Sequence, residues 1–173
     1  MRKLIDLHLH LDGSVPVATV KKLMKEHNMP ALSDEELRQE LSVDSSCKSL
    51  DQFLEKFALP NKLMQTRHDL KTIVYDLLVE LKQQGLVYAE IRFAPQLHTK
   101  KGLTQEDAIE AVISGLNKFL ADQKKQKTLP ELHAGLILCL MRFADNQKQN
   151  METVKLAKKC LGKGVVGLDL AGA

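Results

Sequence analysis

Apolar residues along this chain switch between two periods, again and again, from one end to the other. Short runs with strand character at 3–11, 86–94, 133–141 and 165–170 alternate with longer segments whose apolar residues recur every three or four positions. Such a rhythm predicts parallel strands joined by right-handed helical crossovers. Four strand–helix units make half of an eight-fold barrel. The expected fold class is α/β: residues 1–173 supply roughly the first four strand–helix units of a TIM-type (β/α)8 barrel, the amino-terminal half of one domain. Gly172 and Ala173 follow a strand with no helix after it. The expectation is a domain incomplete at its carboxyl end. With strands one and four unpaired along one edge each, it would be prone to self-association.

Helix boundaries are written in turn and cap residues. Ser14 and Pro16 open a helix to about His27, with Val20, Leu23 and Met24 on one face. Ser33 to Glu36 is a capping box for a helix at 34–41. Ser49 to Gln52 is a second, for a helix expected to bury Leu50, Phe53, Leu54 and Phe57 and to stop at Pro60. A long helix at 62–84 carries Leu70, Ile73, Val74, Leu77, Leu78 and Leu81 and closes at Gly85. Thr104 caps a helix at 105–123, and another is expected at 146–161.

Composition narrows the function classes. Apolar residues make up 44% of the chain but aromatics only 4%, with no Trp, so aliphatic side chains must fill the core. The 25 basic and 22 acidic residues are too balanced and too scattered to suggest a nucleic acid or anionic membrane partner. Cys47, Cys139 and Cys160 are odd in number and far apart, as expected of reduced thiols in a cytoplasmic protein. No apolar stretch approaches the roughly 20 residues of a membrane span, and Met1 is not followed by a signal-peptide core. Neither a Gly-x-Gly-x-x-Gly turn nor a phosphate loop is present, which argues against dinucleotides and nucleoside triphosphates.

The chemistry concentrates in Asp6-Leu-His8-Leu-His10-Leu-Asp12-Gly13-Ser14. On a strand, residues two apart share a face, so Asp6, His8 and His10 should point one way and Ile5, Leu7, Leu9 and Leu11 the other. In a barrel the apolar set packs on helices and the polar set points inward, at the carboxyl end where barrel active sites lie. Two inward imidazoles are costly unless something binds them, and a divalent metal does so well. The plain alternative is a pair of satisfied core histidines. Glu90 and Arg92 share a strand face, and Asp169 alternates with Leu168 and Leu170; for Arg92 and Asp169 a structural ion pair is the expected role. His27, His68 and His98 are expected at the surface.

At this point the sequence resembles the adenosine deaminase family of metal-dependent amidohydrolases. The resemblance rests on the His8-x-His10-Leu-Asp12-Gly13 run and on Gly167-Leu-Asp-Leu-Ala-Gly172. Between them, Tyr88-Ala-Glu-Ile-Arg-Phe-Ala-Pro95, the helix capped by Thr104 and Gly135-Leu-Ile-Leu-Cys-Leu-Met-Arg142 follow in the family's order. It implies roles for single residues. His8 and His10 resemble the first two ligands of one Zn2+, with His10 also within reach of substrate. Asp12 resembles the carboxylate that hydrogen-bonds the ribose. Gly172 resembles the glycine whose backbone amide meets a purine ring nitrogen, a place where a missing Cβ permits close approach; its plain alternative is a turn glycine. The substrate implied is a small-molecule purine nucleoside, deaminated at the six-position by a zinc-activated water.

One match is deceptive. The family takes its third zinc ligand and its catalytic Glu from a His-Ala-Gly-Glu motif, and this chain has His133-Ala-Gly-Leu136. Leu136 cannot act as an acid, and by order the segment is the third strand. The catalytic residues and remaining metal ligands are therefore expected after residue 173, and none within this chain, which alone should be inactive. A phosphoesterase that also opens on Asp-x-His-x-His is not expected to carry Leu-Asp-Gly-Ser followed by a later Asp-Leu-Ala-Gly; the alternatives that stay open are a related deaminase acting on adenine or another adenosine derivative, and a truncated binding module without catalysis. The cytidine-deaminase type of zinc site, with its His-x-Glu and Pro-Cys-x-x-Cys, is absent.

Overall fold

A computed structural model describes residues 3–125, 129–142 and 144–172; Ala173, expected after the last strand, lies outside them. Four strands, β1 (Leu4–His10), β2 (Leu86–Phe93), β3 (His133–Met141) and β4 (Val165–Ala171), form one parallel sheet in the order β1-β2-β3-β4. Helices α1 (Val17–Glu26), α2 (Asp34–Leu41), α3 (Leu50–Glu55), α4 (Ala58–Leu63) and α5 (Arg67–Gln83) lie between β1 and β2. Helix α6 (Gln105–Gln123) joins β2 to β3, and α7 (Gln147–Cys160) joins β3 to β4. This is the arrangement expected from the alternating periods.

The core lies between the outer face of the sheet and the helices. Ala89, Ile91 and Phe93 of β2 pair in register with or beside Ala134, Leu136 and Leu138 of β3, and this row is covered by Leu70, Ile73, Val74, Leu77 and Leu78 of α5 and Ile109, Val112 and Leu116 of α6. Burying such a side chain contributes about 2 kcal/mol. The opposite residues of the same strands, Glu90, Arg92, Gly135, Ile137, Cys139 and Met141, share the inner face.

Several local expectations need correction. The helix expected at 62–84 is two helices: α4 ends at Leu63, and Thr66 accepts a hydrogen bond from the Asp69 N–H to cap α5. Pro60 does not stop a helix but sits in the first turn of α4, where its missing N–H costs nothing. In α3 no residue is buried; Leu50 and Phe53 are exposed. His98 is fully buried, not superficial, and His27 is half-buried, its Nε2 3.0 Å from an oxygen of the buried Asp69. His68 is exposed as expected.

Strand β1 also departs from an even alternation. Its register slips between Asp6 and Leu9, so Asp6 stands beside Ala89 on the helix side while His10 stands beside Arg92 on the inner face. Asp6 turns its carboxylate to its own strand and accepts from the His8 N–H at 2.9 Å. The three polar residues thus do not share one row; His8 and His10 are brought together without Asp6. Among the described residues, β1 and β4 each have one unpaired edge, and Ile5 (65% exposed), Leu7, Leu168 and Leu170 face solvent.

Candidate active site

At the carboxyl ends of the strands, the inner face opens into a cavity of about 700 Å³. His8 and His10 come from the end of β1, Arg92 from β2, Cys139 and Met141 from β3, and Asp169 with Gly172 from the end of β4. The far wall comes from α3 and α4, with Phe53, Leu54, Phe57 and Asn61. This answers why α3 buries nothing: its apolar residues are turned to the cavity rather than to the core. Sequence periodicity identified their face correctly and its destination wrongly.

The two imidazoles lie 5.5 Å apart between ring centroids, tilted by 44°. The edge of Phe57 meets His10 at 6.0 Å. Burial lowers the pKa of His10, the positive charge of Arg92 and then His8 add to the effect, and Asp169 opposes it. His10 is therefore neutral at neutral pH, the state in which an imidazole lone pair is free to bind a metal. Two neighbouring imidazoles at a cavity mouth form a donor set that fits a zinc-type ion, as far as two ligands can.

Around this pair the polar groups are tightly arranged. Arg92 forms an ion pair with Asp169 and donates a second hydrogen bond to the Leu7 carbonyl at 3.1 Å. That is the structural role expected for both residues, and it ties β4 to β1 across the inner face. Glu90 accepts from the Tyr88 hydroxyl. Cys139 borders the cavity, but burial, helped by the charge of Asp169, pushes its thiol up to about 12, so it is no nucleophile. Asp12 follows β1 and is only 8% exposed. Burial raises its pKa to about 6, against the hydrogen bond from Asn61 Nδ2 at 3.3 Å.

Gly172 borders the cavity with φ +107°, a conformation that side-chain-bearing residues rarely adopt. Its predecessor's carbonyl accepts from Arg142 N, which anchors the turn. His133, by contrast, is exposed at the amino end of β3, at the far end of the strand from the cavity. Its likeness to a ligand motif ends there. One other cluster among the described residues, Glu26, His68 and Asp69, brings its ligand atoms close enough to share an ion, but it lies in the helix layer, and its groups already pair as His68–Glu26 and His27–Asp69. No helix among the described residues is long and apolar enough to cross a membrane.

The family described as adenosine deaminase matches residues 4–173. A curated adenosine deaminase of Haemophilus ducreyi is 49% identical over 174 residues, 98% of this chain and 49% of its own length. Another, of Clostridium botulinum, is 41% identical, again over 49% of its length. The chain thus spans about half the length of the curated relatives it matches. Among solved structures, Arabidopsis ADAL complexed with IMP superposes with a TM-score of 0.77 at 27% identity, covering 98% of this chain and 49% of that one. An amidohydrolase of Burkholderia with bound Zn shares the fold at the same TM-score and 19% identity, over 44% of its length.

Proposed function

Because the chain belongs to the adenosine deaminase family, we propose that the whole protein hydrolyses adenosine and deoxyadenosine to inosine and deoxyinosine with release of ammonia. The observation that carries the reading is the pairing of two imidazoles with a buried carboxylate, Asp12, at one cavity mouth. A metal needs the first, and a sugar hydroxyl suits the second. The IMP bound by the Arabidopsis relative is a purine nucleotide, in keeping with that class of ligand.

His8 and His10 are the residues that would hold one Zn2+. When bound, that ion supplies a water acidic enough to be a nucleophile near pH 7. The ordinary case has three protein ligands. We assign the third ligand and the general acid to the further length that the relatives possess. The described residues prepare the site. Burial and Arg92 keep His10 unprotonated. Asp12 accepts a ribose hydroxyl, and the Gly172 N–H meets a purine ring nitrogen from a backbone with no Cβ in the way. Phe53, Leu54 and Phe57 cover the cavity with apolar surface, which excludes bulk water from the purine.

Side-by-side assays with adenosine and adenine test the substrate. Turnover of adenosine is expected, since a sugar hydroxyl gives the buried Asp12 carboxylate a partner that a free base does not. Turnover of adenine alone would move the chain to the base-specific deaminases.

A further inference from the structure

Asn61 stands out among the cavity residues because its side chain is only half satisfied. Its Nδ2 donates to Asp12 Oδ2 at 3.3 Å, while its Oδ1 is buried without any hydrogen-bond partner among the described residues. An orphaned buried carbonyl oxygen destabilises the folded chain. A leucine would fill this place on α4 at less cost, so stability does not account for an asparagine.

The placement of Asn61 is nevertheless firm. Its backbone N–H donates to the Phe57 carbonyl at 2.9 Å. Its own carbonyl accepts from Gln65 Nε2 at 2.6 Å, and the same nitrogen donates to the Leu97 carbonyl at 2.9 Å. Gln65 Oε1 in turn accepts from the Lys100 N–H at 2.9 Å. The buried Gln65 thus clamps the end of α4 to the segment that follows β2. Asp12, for its part, has no other side-chain partner among the described residues.

We infer that Asn61 is a positioning residue: its amide fixes one oxygen of Asp12, so that the other is held toward the cavity for a sugar hydroxyl. This rests on the deaminase reading above. A clamped donor removes rotamer freedom from the carboxylate before substrate arrives, and that gain appears in substrate affinity rather than in chemistry. No bond is made or broken by Asn61 itself.

The test uses the full-length protein with Asn61→Leu, Asp12→Ala and the double variant, assayed on adenosine together with thermal melting. Asn61→Leu should lower kcat/KM about tenfold, mostly through KM, with a melting temperature equal to or above the parent's. In the Asp12→Ala background the same substitution should change nothing, because its effect passes through Asp12. An undiminished effect in that background, or an indifferent Asn61→Leu in an active parent, overturns the inference alone. A parent protein without adenosine turnover overturns the deaminase reading, and the inference with it.

Discussion

At the end of β2, His98 is buried completely, its ring stacked on Phe93 with 6.0 Å between centroids. Among the described residues, neither ring nitrogen has a hydrogen-bond partner. Burial pushes its pKa down to about 4 from the ordinary 6.5; the backbone of Met64 offsets part of this, and Lys100 adds slightly to it. Between those two values the unfolded chain binds a proton that the folded chain does not. Stability is therefore full above about pH 6.5 and falls as the pH drops toward 4, by about 3 kcal/mol in all. Denaturant melts of the full-length protein at pH 7 and pH 5 should show about 2 kcal/mol of this loss, and His98→Phe should reduce it. An unchanged slope in His98→Phe would place the acid sensitivity elsewhere. The sequence offered no sign of this burial, because a histidine three residues after Pro95 reads as a loop unless one knows that this segment packs against α6 and α7. The places of His8 and His10 at the cavity were legible for the opposite reason: they lie at a strand end, where order along the chain fixes which end of the barrel they occupy, whereas Asp12 and Gly172, which also border the cavity, were expected there only from the family resemblance.

Among the elements, α5 and α6 make the most intimate contact. A Cβ on Gly115 of α6 would come within 2.3 Å of Val74 Cγ1 and 2.6 Å of the Lys71 carbonyl oxygen. The second of these is backbone and cannot step aside without moving α5. Gly115→Ala should cost about 1–3 kcal/mol, despite the better helix propensity of alanine. Chemical denaturation reads this directly, and a more stable Gly115→Ala protein would contradict the packing. Most elements were readable from pattern. The capping boxes at Ser33 and Thr104 and the apolar stripe from Leu70 to Leu81 place their helices closely. Two features escaped because the signals compete. Helical spacing runs through residues 62–84, and only the modest Thr66–Asp69 cap reveals that α4 and α5 are separate. The slip in β1 leaves the composition of the strand unchanged, so alternation alone assigned Asp6 to the wrong face.

Viewed whole, the described residues form half of a barrel. Ile5, Leu7, Val166, Leu168 and Leu170 are exposed, and each outer strand offers one unpaired edge. In an eight-fold barrel further strands and helices cover these surfaces. Residues 1–173 produced alone should therefore deaminate nothing, and should elute from a sizing column as oligomers or melt at low temperature. A stable, monomeric piece that turns over adenosine would show that two imidazoles and the residues around them suffice. The most direct test of the central claim is zinc content measured beside adenosine turnover in the full-length protein and in its His8→Ala and His10→Ala variants. The account predicts about one zinc per parent chain with adenosine turned over, and loss of both in each variant. Zinc retained at full stoichiometry in both variants would contradict the assignment of His8 and His10 as its ligands.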